Sequence, residues 1–244
     1  MSTPRNLCLR AFWGGRKDSL TTQIDMVWTT FRRLSLYGHF MADEWRAVFA
    51  GFQVVSQSRE LLESAMTAEY HNPEGVLYML TQLRFDGDHH RPILDFSAAP
   101  NHQVGYERLV ANSAILDFLI ENDDKTPNPN WMRWVLGIGA DLVRMFVDVW
   151  NPDVVSLGSR ELHVAQLIGY PPVGYLSWLS DDVQNPGVDQ VASRFNEPYK
   201  NGIFLGVDPS SPTMVEDALS LIAHMQGRGL LRPIPFIQGQ PHPV

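Results

Sequence analysis

The sequence predicts an α+β protein, with a largely antiparallel sheet packed by several helices. Strand-like and helix-like stretches occur in mixed order, without the regular alternation that builds a parallel sheet. Two alternating stretches, Leu77 to Phe85 and Ile93 to Ala98, are separated by Asp86-Gly87-Asp88-His89-His90-Arg91-Pro92, a composition suited to the turn of an antiparallel hairpin. The chain has 244 residues, 44% of them apolar, which is enough to bury a full core.

The elements follow in order. Leu7 to Phe12 alternates as a strand and breaks at Trp13-Gly14-Gly15-Arg16. A helix from about Ser19 to Leu36 places Leu20, Ile24, Val27, Trp28, Phe31 and Leu34 on one face, with Arg32 and Arg33 closing its last turn, where cations favour the helix dipole. Glu44 to Phe52 reads as an irregular or helical connector. Ser58 to Tyr70 is a shorter helix stopped by Asn72-Pro73. Leu109 to Ile120 reads as a third long strand or a helix, with Asn112, Ser113 and the β-branched Val110 and Ile115 favouring the strand. Acidic, proline-rich 121–130 is a possible internal linker, ending in Asn128-Pro129 as N-cap and first helical residue.

One helix is expected next, with Trp131, Trp134, Val135, Ile138, Leu142, Met145, Phe146 and Val149 as its apolar stripe. Arg144 lies opposite, within one turn of Asp141 and Asp148. Gly137 and Gly139 are costly in a helix, so both are expected to permit a close approach. Val154 to Leu157, Val173 to Leu179 and Ile203 to Val207 are short strands. A final helix starts at Ser211-Pro212, turns Val215, Leu219, Ile222 and Met225 inward, and stops near Gly227. Residues 1–232 are expected to form a single domain, and 233–244 a proline-rich tail.

Composition narrows function. Twenty-seven acidic residues against nineteen basic ones give a net charge of −8. Such a surface repels nucleic acid and anionic lipid and favours basic partners. No stretch reaches the ~20 apolar residues of a membrane span, and no signal-peptide pattern precedes the first strand, so a cytoplasmic location is expected. The single cysteine, Cys8, is expected to be a buried hydrophobe.

Candidate chemistry is sparse. Asp86, Asp88, His89 and His90, with His71 and His102 as possible partners, form the cluster nearest to a metal site, and a metal-dependent hydrolase is the alternative reading. Adjacent histidines on an extended segment point to opposite faces, and Asp-Gly-Asp suits a turn, so no metal and no cofactor is expected. Gly158-Ser159 is half of a nucleophile elbow without its second glycine. Gly137-x-Gly139 and Gly227-x-Gly229 fall in or after helices and do not form phosphate loops. An aromatic-lined pocket for a small regulatory ligand is a third possibility.

The chain resembles the immunity protein 52 family of bacterial polymorphic toxin systems. Leu9-Arg10-Ala11-Phe12-Trp13-Gly14 with Arg16, Val149-Trp150-Asn151-Pro152-Asp153, and Val173-Gly174-Tyr175-Leu176-Ser177-Trp178-Leu179 carry the likeness. Trp178 stands where the family's pattern favours Tyr, and the tail beyond Gly227 is long. The resemblance implies a non-catalytic α+β protein that neutralises a cognate nuclease toxin, in some cases one delivered by type VI secretion. No catalytic residues transfer, so the expected binding residues come from charge and exposure. They are Asp86, Asp88, Asp123, Asp124, Asp181 and Asp182 for toxin Lys and Arg, and Tyr175 and Trp178 as aromatic anchors, with Phe195 and Tyr199 as further candidates.

Overall fold

The structure is a computed structural model and describes residues 6–14, 18–37, 45–69, 77–82, 93–99, 112–120, 124–164, 166 and 170–234. In chain order it contains β1 (Asn6–Trp13), α1 (Leu20–Leu34), β2 (Trp45–Ala47), β3 (Gln53–Val54), α2 (Arg59–Glu69), β4 (Leu77–Gln82), β5 (Ile93–Ala99), β6 (Asn112–Leu119), α3 (Pro129–Gly137), α4 (Gly139–Trp150), β7 (Val154–Gly158), α5 (Arg160–Val164), β8 (Leu176–Ser180), β9 (Phe195–Pro198), β10 (Gly202–Gly206) and α6 (Met214–Gly227). The fold is α+β.

Ten strands form one sheet in the order β3-β2-β4-β5-β6-β1-β7-β8-β10-β9, and every pairing is antiparallel. The N-terminal strand is central, with Leu9 facing Leu116 of β6 on one side and Leu157 of β7 on the other. The β4–β5 hairpin forms as expected, running from Leu77↔Ala98 to Gln82↔Ile93.

Period-two alternation decides which residues face the helices. Leu7, Leu9, Ala11 and Trp13 of β1 share a face with Ala114, Leu116 and Phe118 of β6, and all are buried. Five aromatic rings run across this face. Trp45 stacks on Phe31 at 4.8 Å, Phe31 meets Phe96 edge-on at 6.0 Å, Phe96 meets Trp150 at 5.9 Å, and Trp150 meets Trp13 at 5.5 Å. Helices α1 and α4 therefore dock on the same face. The Trp150 indole N–H is buried and donates to Thr30 Oγ1 at 3.0 Å, so this wide apolar layer leaves that donor satisfied.

Local signals place the helix ends. Ser19 caps α1 by accepting from the Thr22 N–H at 3.1 Å. Asn128 caps α3, accepting from the Asn130 and Trp131 N–H groups, with Pro129 as the first helical residue. Asn151 ends α4 in the left-handed conformation at φ 42°.

Several expectations need correction. Residues 131–149 form two helices, broken at Ile138 (φ −98°, ψ 1°). Only Gly139 permits a close approach: a Cβ there would lie 2.7 Å from Leu157 Cδ2 and Leu176 Cδ1, whereas one at Gly137 would meet nothing within 4 Å. Part of the expected connector at 44–52 is strand, because Trp45 and Ala47 alternate inward in β2, which pairs with β4 on one side and the short edge strand β3 on the other. Edge strand β9 gave no clear signal, and its Pro198 is tolerated where no further strand pairs. In α6 the buried residues are Met214, Ala218, Leu221, Ile222 and Met225, with Val215 and Leu219 half-buried. That helix starts at Met214, and the Ser211 and Thr213 hydroxyls ahead of it donate to the Asp217 carboxylate in its first turn. Arg144 reaches Asp141 at 3.7 Å but finds its closer partner in Glu197, and Asp148 pairs with Arg33 and Lys200.

Candidate partner-binding surface

The residues that carry the family resemblance meet at one end of β1 and are scaffold. Gly14 N–H donates to Asp153 Oδ2 at 2.7 Å, Asp153 N–H to the Phe12 carbonyl at 2.8 Å, and Ser180 N–H to the Asp153 carbonyl at 2.9 Å. With the Trp13–Trp150 contact, these bonds tie β1, the end of α4 and β8 together.

Tyr175 and Trp178 are not surface anchors. They are 1% and 0% exposed, and the Trp178 indole N–H donates inward to the Tyr199 carbonyl at 2.8 Å. The physical reason is that every residue of β8 is buried, its serines Ser177 and Ser180 included, so the strand has no solvent-facing side from which an aromatic could project. Phe195 packs edge-on against Phe204 at 5.8 Å, and the Tyr199 hydroxyl donates to Asp148 at 3.0 Å.

Asp181 and Asp182 are exposed in the single turn after β8. Asp181 accepts from Gln184 Nε2 at 2.9 Å and its own N–H donates to the Asn201 carbonyl, which fixes the turn without neutralising the carboxylate. Asp124 is exposed and accepts from the Thr126 N–H and hydroxyl. Asp86, Asp88, Asp123, His71, His89, His90 and His102 lie outside the described residues. Among the described residues, no three His, Cys, Asp or Glu gather as metal ligands.

The sheet's second face holds a polar group that sequence reading missed. Arg10 Nε donates to Cys8 Sγ at 2.9 Å, and Ser156, paired across from Arg10, lies 3.3 Å from His163 Nε2. Serine beside histidine resembles a nucleophile–base pair, but Ser156 is 0% exposed. Burial, reinforced by the Asp117 charge, pushes the Cys8 thiol far up, away from thiolate. Burial, helped by the Arg10 charge, holds His163 neutral, down to about 3. Ser159 of the half elbow is buried and caps the short α5, accepting from the Leu162 N–H. The pair is separated by only seven residues, yet the sole hint of it is one serine within an apolar strand.

Charge is distributed unevenly. Residues 139–227 carry eleven acidic and four basic side chains, a net −7 of the chain's −8. On the helix-covered side these charges are paired, as in Asp148 with Arg33 and Lys200, and Arg144 with Glu197. Asp181, Asp182, Asp189, Asp208 and Asp217 have no ion-pair partner among the described residues. Asp208 and Asp217 border an open cleft of ≈ 610 Å³, whose floor includes Val191, Val207 and Leu221 and whose rim includes Arg194 and His224. Hydrogen bonds from the Ser210 hydroxyl and N–H hold the Asp208 carboxyl below its ordinary range.

No family model matches the chain, and no curated protein matches it. A solved structure described as "Pseudomonas aeruginosa T6SS protein PA0821" is similar over 88% of this chain and 76% of that one, at 13% sequence identity and a TM-score of 0.46. A likeness of that size says nothing about function. Among the described residues, no helix is long and apolar enough to cross a membrane.

Proposed function

We propose that this chain is a non-catalytic immunity protein that acts in the cytoplasm, binding a cognate nuclease toxin of a type VI secretion system and protecting the cell that makes both. One observation carries the reading: residues 139–227 hold a net −7, and Asp181, Asp182, Asp189, Asp208 and Asp217 among them make no ion pair with a described residue. A nuclease presents a basic groove to the phosphates of its substrate. An acidic surface is complementary to that groove, and opposite fields lift association above the neutral ~10⁵–10⁶ M⁻¹s⁻¹. Speed matters here, since the toxin must be captured before it cuts. The likeness of the β1, α4 and β8 motifs to the immunity protein 52 family supplies the toxin class.

The test is co-expression with the toxin encoded beside this chain's gene. Growth is expected to be restored, and the two purified proteins to form a complex whose association slows as salt rises. Continued killing with no complex would overturn the reading, as would turnover of a substrate by the isolated chain. Association rates indifferent to ionic strength would remove the steering component.

A further inference from the structure

We infer that the cleft between the 191–194 segment, Val207-Asp208 and α6 is where the partner inserts a peptide segment, with a Lys or Arg side chain seated against Asp208 and Asp217. The inference rests on the immunity reading and assigns that reading a location, which the buried Tyr175 and Trp178 cannot provide.

The cleft has the mixed lining of a recognition site. Its volume of ≈ 610 Å³ suits a short run of side chains. Val191, Val207 and Leu221 are 4%, 6% and 5% exposed and offer an apolar floor for the aliphatic stem of a long cationic side chain. The two carboxylates are oriented without being neutralised. Asp208 Oδ1 accepts from the Ser210 N–H at 2.9 Å and from its hydroxyl at 2.6 Å, while Asp217 Oδ2 accepts from Ser211 Oγ at 3.1 Å and Thr213 Oγ1 at 3.0 Å. These bonds come from neutral groups; the Arg194 charge acts on Asp208 without closing an ion pair, so neither carboxylate is in a salt bridge that an incoming cation would have to break. Arg194, exposed at the mouth, makes no ion pair with a described residue, but its charge already acts on Asp208, so the incoming cation is expected to seat nearer Asp217. The net charge of −7 over residues 139–227, the stretch that contains the cleft residues, favours a basic protein as the source of that segment.

The experiment uses the full chain and a catalytically inactivated form of the toxin encoded beside its gene. Wild-type binding is measured first, and its absence defeats the immunity reading and this inference together. Given binding, Asp208→Asn with Asp217→Asn removes both charges and keeps the Oδ acceptors for the serine and threonine donors. At least a tenfold loss of affinity is expected, with Tm lower by no more than a few degrees, since both carboxylates also contribute modestly to the fold. Ser220→Trp, on an exposed position of α6, fills the cleft without touching a charge and is expected to cost at least as much. Asp181→Asn with Asp182→Asn, outside the cleft, is expected to slow association less than threefold and leave dissociation unchanged. Hydrogen exchange of the wild-type complex should protect amides within 191–194 and 207–224. Affinities within twofold of wild type for both cleft variants, or protection confined to other segments, would overturn the inference and leave the immunity reading standing.

Discussion

The two faces of the central sheet are packed by different means. On the helix-covered face, side chains do the packing: Leu7, Leu9, Ala11 and Trp13 alternate inward and meet large rings and aliphatics from α1 and α4. On the second face, around β7 and β8, backbone approaches backbone. Gly174 sits against the Leu157 carbonyl, its N–H donates to Ser177 Oγ at 2.8 Å, and His163 covers Gly158 and Ser156. An apolar layer tolerates small changes of shape, because side-chain ends can move. A glycine-mediated contact with polar partners has no such slack, so the largest penalties belong to the second face even though its buried apolar surface is less conspicuous.

Gly174→Ala is the sharpest way to break that contrast. A Cβ there would lie 2.3 Å from the Leu157 carbonyl oxygen and 2.7 Å from Ser156 Oγ, and the nearest atom is backbone. Overpacking of this kind costs about 3 kcal/mol or more, equivalent to a Tm fall on the order of 10 °C in a domain of this size. Thermal unfolding of the variant measures it. A fall of only a degree or two would show that β7 and the 171–175 segment can separate freely.

His163 gives the second face a pH dependence in the range between its lowered value and neutrality. Its ordinary value of 6.5 is lowered to about 3 by burial and then by the Arg10 charge. The unfolded chain therefore binds a proton below pH 6.5 that the folded chain refuses until about pH 3. The stabilisation is complete above pH 6.5 and is lost as pH falls toward 3, at up to ~1.4 kcal/mol per pH unit. Urea unfolding from pH 7 to pH 4 should show this acid slope, and His163→Gln should flatten it.

The contrast also explains what was legible in the sequence. The first face announces itself through periodicity: β1, α1, α2 and the β4–β5 hairpin were visible, since an alternating strand or a helical stripe is a local pattern, whereas the stretch that became β6 read as either a strand or a helix. The cap at Asn128 was equally local. Tyr175 and Trp178 misled because exposure depends on what covers a strand's other side, and that covering comes from distant segments. The cleft was invisible for the same reason: Asp208 and Asp217 lie on separate elements from Val191 and Arg194, and only the packing of α6 brings them together.

A paired substitution tests the side-chain packing of the helix face. Gly139→Ala drives a methyl to 2.7 Å from Leu157 Cδ2 and Leu176 Cδ1, both flexible ends, so the expected cost is about 1–2 kcal/mol, less than at Gly174. Gly137→Ala meets nothing within 4 Å and is expected to stabilise by roughly 0.5–1 kcal/mol through helix propensity. Opposite signs in denaturant midpoints two residues apart are the expected outcome. A shared sign would mean that the break at Ile138, not the close approach, sets the cost.

The smallest effect belongs to the charged rim of the helix face. Asp148 Oδ1 lies 2.6 Å from Lys200 Nζ and accepts from the Tyr199 hydroxyl at 3.0 Å, while Oδ2 accepts from Arg33 at 3.2 Å, so one carboxylate joins α1, α4 and the β9–β10 turn. Burial pushes its carboxyl up, but the bonds from Lys200, Tyr199 and Arg33 outweigh that and hold it below the ordinary 3.8. Exposed pairs of this kind contribute roughly 1 kcal/mol or less, and salt screens them. The contribution is present above the ordinary carboxylate range and disappears as pH falls through the lowered value. Asp148→Asn should therefore lower Tm by a few degrees at pH 7 and by almost nothing at pH 2. A penalty that persisted in acid would show that Asp148 acts through hydrogen-bonded shape more than through charge, which would make this rim resemble the second face.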